Sequence, residues 1–444
     1  MNLTLAAFAL TFFNLICASF TEEFYSNWIE KYRRVSGNKN PPKRIKEWMK
    51  MASKMNVGIE PEKFKPIFEH FAHFKQTGIT TQKAIDFLNK IRSFYPERTD
   101  IRGYNTHDLM TDLSKRNGWP WFDSFNLLSQ VLDSSIDCLA IIQKFDEGMV
   151  IPADEDDSRP YNDISEIFNR SSDMRRALGK YAKKHILLQA PTSFHGIPFY
   201  APVFGVYRLK GAKDILFATD QTGIGYYEHV LPTARNSPSW ENKIFGAMFR
   251  GSATGIGYVK AVDAGIPVTN SPRFKLHQMS DMQKAGKLNC KVPLDFGISD
   301  LRIGKCPKNV LRAVHDFKSA SHEDFTSQFR YKYLVVVDGN GAADRISIFM
   351  ASGSLVFLST VLEDWASNQI IAGEHYIKVK PDLSDLVEKL EWAAEHDAEA
   401  KRIAQNGREF VLKNMNRSNR QIYNALLFME YQALFDSVNS TQHN

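Results

Sequence analysis

Apolar and polar positions change their period several times along the chain, and each change marks a different element. Over residues 3–20 apolar side chains run on with only Thr4, Thr11, Asn14 and Ser19 between them, and polarity rises at Thr21-Glu22-Glu23. Such a run, with the small residues Cys17-Ala18-Ser19 near its end, is expected to be a signal peptide over residues 1–20, or the same segment retained as a signal anchor. Over 23–92 the apolar positions Trp28, Tyr32, Trp48, Phe64, Ile67, Phe68, Phe71 and Phe74 lie at helical spacing in a strongly charged background, broken once at Pro41-Pro42. That period implies a helical N-terminal segment over residues 21–100. Between residues 119 and 240, short apolar runs such as Cys138-Leu-Ala-Ile-Ile, Ile186-Leu-Leu and Pro202-Val-Phe-Gly-Val-Tyr alternate with helical stretches such as 174–184. This is the pattern of an α/β domain, placed at 101–238.

The third region, 239–400, is more legible. Tyr333-Leu-Val-Val-Val is a continuous β-branched run of strand length, and Asp338-Gly-Asn-Gly341 is a turn. Residues 342–352 can form three helical turns ended by Gly353, and Ser354-Leu-Val-Phe-Leu is a second buried strand, which completes a βαβ unit. A similar unit begins with a strand at 244–249, the loop Gly251-Ser-Ala-Thr-Gly-Ile-Gly257, a helix at 258–264 stopped by Gly265, and the return strand Ile266-Pro-Val-Thr. Two such units make a Rossmann-like sheet. Towards the C-terminus Leu386, Leu390, Ala393 and Ala394 share a helical face behind Asp382 as cap, and Asn406-Gly407 supplies a stop. Within 401–444, Ile422, Leu426, Met429 and Ala433 mark a last amphipathic helix. These helices are expected to cover the sheet.

Composition narrows the classes. A chain of 444 residues, 43% hydrophobic and 24% charged, is too long for one small scaffold and too apolar to stay disordered. The net charge of +6 is too dilute for a nucleic-acid binder, so an anionic partner should be small and locally bound. The basic cluster Lys31, Arg33, Arg34, Lys39, Lys43, Arg44, Lys46 and Lys50 is read as a solvated face. Beyond residue 20 the cysteines are Cys138, Cys290 and Cys306, with Cys290 and Cys306 the expected disulfide pair in an oxidising compartment. With no Cys-x-x-Cys, they make no zinc site. Asn169-Arg-Ser, Asn416-Arg-Ser and Asn439-Ser-Thr have the form of glycosylation acceptors.

Ligands of an open parallel sheet bind beyond the carboxyl ends of its strands, which concentrates three candidates there. Arg250-Gly251-Ser252 follows its strand directly, so backbone N–H groups, a hydroxyl and a guanidinium can face one anion. Arg345 falls in the first turn of the helix after Asp338-Gly-Asn-Gly341, and Arg273 follows the next strand's end after Asn270-Ser-Pro272. The spacing Gly251-x-x-x-Gly255-x-Gly257 is neither a Walker loop nor the dinucleotide Gly-x-Gly-x-x-Gly. Three converging arginines suit a diphosphate, which guanidinium pairs can neutralise without a metal.

These stretches resemble glycosyltransferase family 90, which includes fungal capsule-associated xylosyltransferases and Rumi-type protein O-glucosyltransferases. The resemblance is carried by Phe249-Arg-Gly-Ser-Ala-Thr-Gly255, Arg273-Phe-Lys-Leu-His277, Tyr331-Lys-Tyr-Leu-Val-Val-Val-Asp-Gly-Asn-Gly341, Ala351-Ser-Gly-Ser-Leu-Val-Phe357, Asp364-Trp365 and His375-Tyr-Ile-Lys-Val-Lys-Pro-Asp-Leu-Ser-Asp385. Upstream, Tyr32-Arg-Arg-Val-Ser-Gly-Asn-Lys-Asn-Pro-Pro42 is similar to the fungal branch. Two stretches depart from the family pattern, Ala342-Ala-Asp-Arg345 and Ile371-Ala-Gly-Glu374. The resemblance implies a GT-B architecture of two Rossmann-like domains facing a cleft, with the nucleotide on the C-terminal one. It implies that Arg250, Gly251, Ser252, Arg273 and Arg345 contact the UDP of a UDP-sugar, with Asp364 near the nucleotide. It also implies inverting transfer of xylose or glucose to a hydroxyl of a glycan, with a protein serine or binding without transfer as alternatives, in the lumen of the secretory pathway.

Inverting transfer needs one carboxylate to deprotonate the acceptor hydroxyl. Phe145-Asp-Glu-Gly-Met-Val-Ile-Pro152 resembles the family segment that supplies it, which makes Asp146 the expected base, with Gly148 where the family has proline. Asp154-Glu-Asp156 has the form of an Asp-x-Asp that holds Mn²⁺ on a UDP-sugar, but is read as a solvated acidic loop, so no metal or tightly bound cofactor is expected. His229, His277 and His375 have no Ser or Cys partner at triad-like spacing. The chain ends Thr441-Gln-His-Asn444, which is not a retrieval tetrapeptide.

Overall fold

The computed structural model describes residues 22–94, 101–111, 125–143, 150–152, 188–190, 201–209, 214–219, 226–253, 271–300, 317–339, 341–342, 345–360 and 362–441. The chain divides into two compact units, one made of residues 1–85, 103–140 and 417–444, the other of 86–102 and 141–416. The expected leader at 1–20 lies outside the described residues. No described helix is long and apolar enough to cross a membrane.

The first unit is helical. Glu22–Ser36, Ile45–Lys54 and Lys65–Thr77 form helices, and Pro41-Pro42 falls in the link between the first two, where a missing N–H costs nothing. Each of the apolar positions expected from Trp28 to Phe74 is buried. Trp28 stacks on Tyr32 at 5.3 Å, and the Tyr32 ring meets Phe68 edge-on at 5.4 Å. The 25-residue helix Arg417–Thr441 belongs to this unit and not to the sheet it was expected to cover. Its apolar residues explain the difference: Ile422, Leu426, Leu427, Phe428, Met429, Tyr431 and Leu434 lie on more than one face and are all buried. Trp48 Nε1 donates to the Ile422 carbonyl (2.9 Å) and Tyr431 Oη to the Leu139 carbonyl (2.6 Å), so two large side chains tie this helix to distant parts of the sequence.

Strands are numbered in chain order. Before residue 220 lie β1 (Ile101–Asn105), β2 (Leu139–Gln143), β3 (Val150–Pro152), β4 (Leu188–Ala190), β5 (Val203–Gly205), β6 (Tyr207–Leu209) and β7 (Ile215–Leu216). After it come β8 (Ile244–Ser252), β9 (Leu294–Asp300), β10 (Tyr331–Val337), β11 (Leu355–Ser359), β12 (Leu362–Asp364) and β13 (Ile377–Lys378). The second unit is mixed α/β, the class expected. β5 pairs in parallel with β2 (Ile141↔Val203) and with β7 (Phe204↔Ile215).

The larger sheet runs β13-β11-β10-β8-β9, with every pairing parallel. Counted from β8, the spatial order is 2-1-3-4-5, so the chain leaves β8 to one side and returns on the other at β10. A crevice at such a switch point is where doubly wound sheets take their ligands. Ala247, Phe249, Phe296, Tyr333, Val335 and Phe357 form one apolar cluster with Leu276, Leu386, Leu390 and Ala400. The residues between them, Met248, Leu334, Val336, Val356 and Leu358, are buried as well. Burial on both faces is why these strands read as unbroken apolar runs, and each such side chain contributes about 1.5–3 kcal/mol.

Three local expectations shift. The helix expected at 342–352 is described at Ile346–Ala351, and Gly353 at φ 74° ends it as expected. Asp385, not Asp382, stands at the N-terminus of the Leu386–Glu395 helix, while Asp382 accepts the Ser384 N–H one turn earlier. Gly407 is not a stop: it lies inside the Asp397–Asn414 helix, where an added Cβ would fall against the His375 carbonyl oxygen. A glycine was needed for close approach, and close approach leaves no periodic trace in a sequence.

Within the helical unit, the buried Glu430 carboxylate accepts Tyr32 Oη (2.6 Å) and Asn38 Nδ2 (3.1 Å). Burial pushes its carboxyl up from 4.5 to about 7, against the pull of those bonds and of Lys75. The folded state then binds more protons than the unfolded one between those two values, so stability falls as pH rises from about 4.5 to about 7 and levels above. Urea unfolding at pH 5 and pH 8 should differ by up to about 3 kcal/mol on this account. Glu430→Gln should flatten most of that difference; an unchanged pH profile in the variant would place its source elsewhere.

Candidate functional site

The crevice is built from the end of β8 upward. The strand continues to Ser252, so Arg250 and Gly251 belong to it and not to the loop expected to begin there. Residues 254–270, with the remaining glycines of that loop, its helix and its return strand, lie outside the described residues.

Arg273 enters at the second position of the helix Pro272–Lys284, and Arg345 is the residue that opens the helix Ile346–Ala351. Their guanidinium groups converge on β8. Arg345 Nη1 donates to the Arg250 carbonyl (2.7 Å), and Arg273 Nη1 to the Ser252 carbonyl (2.8 Å), so the two hold the carbonyls on either side of Gly251. A Cβ at Gly251 would lie 3.5 Å from a nitrogen of each arginine and 3.2 Å from the Phe249 ring. Both guanidinium carbons stand 5.9 Å from the centre of that ring, and Arg345 also faces Phe325 (5.8 Å) and Phe349 (5.7 Å). Aromatic faces stabilise the cations without neutralising them. Arg273 Nε reaches across to the Asp338 carbonyl (3.0 Å), which joins the helix start to the end of β10.

Arg250 is held differently. In the β8–β9 register it lies opposite Gly297, whose missing side chain lets the guanidinium cross to Asp295. Nη2 meets Asp295 Oδ1 at 2.5 Å and Nη1 donates to the Asp295 carbonyl at 2.7 Å. Tyr331 Oη donates to Asp295 Oδ2 (2.7 Å). Burial would raise the Asp295 carboxyl, but the Tyr331 and Arg250 bonds outweigh it and hold the group below its usual 3.8. Burial and that same bond push the Tyr331 phenol up to about 12. The Gln328 side-chain oxygen accepts the Arg250 N–H (3.2 Å). Buried without hydrogen-bond partners here are Arg250 Nε and, just before the Pro272–Lys284 helix, Ser271 Oγ.

The turn after β10 closes with the Gly339 N–H on the Gly341 carbonyl (3.0 Å), and the Asp338 carboxylate accepts Thr360 Oγ1 (2.5 Å). Asp364 ends β12, opposite Tyr207 in an antiparallel pair with β6. It is fully buried, and its Oδ1 accepts the Ser367 N–H (2.5 Å). The neighbouring rung carries a half-buried ion pair, Arg208 Nε to Glu363 (2.9 Å). His277 and His375 are structural: each Nδ1 accepts a backbone N–H, from Ile298 and Ile371, and burial lowers both imidazole pKa values. Of the expected residues, Arg250, Gly251, Ser252, Arg273 and Arg345 are thus brought together, while Asp364 is placed on the β6–β12 ribbon. Asp146, Asp154-Glu-Asp156 and Cys306 lie outside the described residues. No described group of three or more His, Cys, Asp or Glu side chains is arranged to hold a metal ion.

Sequence reading missed Asp295, Tyr331, Gln328 and Phe249 as parts of this crevice. Asp295 had a signal, a lone carboxylate in the apolar run Val292-Pro-Leu-Asp-Phe296.

A comparison of the chain with known families matches residues 301–444 to the model described as glycosyl transferase family 90. Arg345 and Asp364 fall inside that match, and Arg250 and Arg273 precede it. The chain is 34% identical over 230 residues to protein O-glucosyltransferase 1 of Rattus norvegicus, covering 50% of each protein. It is 38% identical over 114 residues to protein O-glucosyltransferase 2 of Danio rerio, covering 26% of this chain and 23% of that one. It is also 31% identical over 215 residues to the uncharacterized protein 179R of Invertebrate iridescent virus 6, covering 45% of this chain and 18% of that protein. The chain therefore spans half or less of these relatives' lengths.

If Asp295 is what holds Arg250, Asp295→Asn should lower unfolding stability by about 1–2 kcal/mol, discounted for its partial exposure. Because its folded pKa is depressed, the Asp295 contribution is present above about pH 4 and lost as pH falls through the folded value. The variant should therefore lose less stability than the wild type on acidification. A cost below about 0.5 kcal/mol, the level of an ordinary surface change, would overturn the assignment.

Proposed function

We propose that the chain is an inverting glycosyltransferase of GT-B architecture that moves a sugar from UDP to an acceptor hydroxyl. The observation that carries the reading is the pair of guanidinium groups gripping the carbonyls beside Gly251 at the switch point of a parallel sheet. Main-chain carbonyls orient both guanidinium groups towards the end of β8. A diphosphate placed over Gly251 would meet both of them, with Ser252 and the neighbouring N–H groups around it and Arg250, turned to Asp295, bracing the strand from its other side. Asp364 would lie towards the nucleotide, and the domains facing the cleft would be 101–238 and 239–400.

Transfer then needs little else. The acceptor oxygen attacks the anomeric carbon and its proton passes to Asp146 as general base. The bond from that carbon to the phosphate oxygen breaks, and UDP leaves with its charge stabilised by the arginines. Cations already in place make a divalent metal unnecessary. The names of the relatives favour glucose as the sugar and a protein hydroxyl as acceptor; the Tyr32–Pro42 segment favours a glycan acceptor and xylose. Either reaction would take place in the secretory lumen, where the apolar segment 1–20 would direct the chain.

Release of UDP from a panel including UDP-glucose and UDP-xylose, with protein and glycan acceptors, tests the reading. Turnover should persist in EDTA. Arg273→Gln and Arg345→Gln should each lower kcat/KM about 100-fold, and Asp146→Asn should abolish transfer while UDP still binds. No release from any donor, or an absolute Mn²⁺ requirement, would sink it.

A further inference from the structure

Several members of the basic cluster of the N-terminal segment border a cavity. Within the helical unit, the link after the first helix, the helix Lys65–Thr77 and the helix Arg417–Thr441 enclose a space of about 560 Å³. That lies within the range of about 300–1,000 Å³ typical of small-molecule sites. Asn38, Lys39, Lys43, Arg44, Lys75 and Glu430 are among its lining residues, with Pro41, Pro42, Met429 and Leu434 supplying apolar wall.

Its charges do not balance. Four basic side chains face two carboxylates, and both carboxylates are engaged. Asp133 Oδ1 accepts the Ser135 N–H (3.0 Å) and Oγ (2.7 Å), and its Oδ2 is 4.0 Å from Lys43. Glu430 is tied to Tyr32 and Asn38, and burial keeps it partly protonated near neutrality. Lys75 is the sharpest sign: its Nζ is buried with no hydrogen-bond partner. Burial lowers its pKa, and the Glu430 carboxyl, itself partly protonated, offsets only part of that effect. Leaving an ammonium dehydrated without a hydrogen bond is costly, and an anion in the cavity would remove that cost.

We propose that this cavity binds a small anionic ligand, a carboxylate or phosphate carried on a hydroxylated carbon skeleton. The anion meets Lys75 and the Lys39, Lys43 and Arg44 edge, and its hydroxyls face the Asn38 and Glu430 oxygens. The apolar wall packs against its C–H groups. Its lining residues are different from those around Gly251, and it does not depend on the reading of that site.

Titration of the full chain with glucuronate, glucose 6-phosphate and glucose tests this, read by calorimetry and by the thermal midpoint. At least one anionic probe should bind saturably and glucose should not, and the better probe tells carboxylate from phosphate. Lys75→Gln should weaken that probe at least tenfold while leaving UDP binding unchanged. Should Lys75→Gln not fold, the double variant of the exposed rim, Lys39→Gln with Lys43→Gln, should weaken the probe about threefold. Failure of both anionic probes, undiminished binding in the lysine variants, or loss of binding in Arg273→Gln in place of Lys75→Gln would overturn the proposal. The last result would put the probe in the diphosphate crevice.

Discussion

The carboxyl edge of the parallel sheet is organised around a position with no side chain. At Gly251 two arginines from two different helices reach the same strand, and each takes a carbonyl beside the glycine. Their nitrogens each stand 3.5 Å from the point where a Cβ would sit, so they are no more than twice that distance apart. Two unit charges that close repel by about 2 kcal/mol at an effective dielectric of about 20. The Phe249 ring and the carbonyls offset part of this. A side chain larger than a methyl at 251 would press on both arginines, and an anion there would reverse the sign of the interaction. The same gap thus explains both how the strand end is held and what it is suited to hold.

The clasp also fixes which parts of the chain must move together. Arg273 links the Pro272–Lys284 helix to β8 and, through the Asp338 carbonyl, to β10; Arg345 links the helix after β10 back to β8. Each arginine comes from the start of the helix that follows one strand and reaches the end of another. Only the 2-1-3-4-5 order brings those ends side by side, since β8 and β10 are neighbours although β9 intervenes in sequence. Asp295, on the far side of β8, completes the arrangement by drawing Arg250 the other way. Three arginines that would otherwise crowd one another are spread over two sides of a single strand.

Much of this was legible in the sequence because it depends on local chemistry. Tyr333-Leu-Val-Val-Val and Ser354-Leu-Val-Phe-Leu are buried on both faces and read as continuous apolar runs, and arginines next to strand ends are visible without any fold. What escaped depends on register or on contacts between distant segments. Asp295 reaches Arg250 only because Gly297 lies opposite it, and Gly407 serves a carbonyl far away in sequence. The last helix was assigned to the sheet because Ile422, Leu426, Met429 and Ala433 make a clear stripe. The burial of Leu427, Phe428 and Tyr431 on other faces shows that it is a core element of the helical unit. A stripe tells which face is buried first; it does not tell how many faces are.

The two units handle buried charge in opposite ways. At the end of β8, carbonyls and aromatic faces help to hold Arg273 and Arg345 in place. Groups held in place beforehand lose little freedom when a ligand arrives, which favours rate over occupancy. In the helical unit, Lys75 Nζ is buried without a hydrogen bond and the Glu430 carboxyl that faces it is held partly protonated by burial. A site built that way is less stable empty than full, so ligand and folded state stabilise one another by mass action. On the proposed readings, the first arrangement would suit a leaving group that departs after each turnover, the second a ligand that stays.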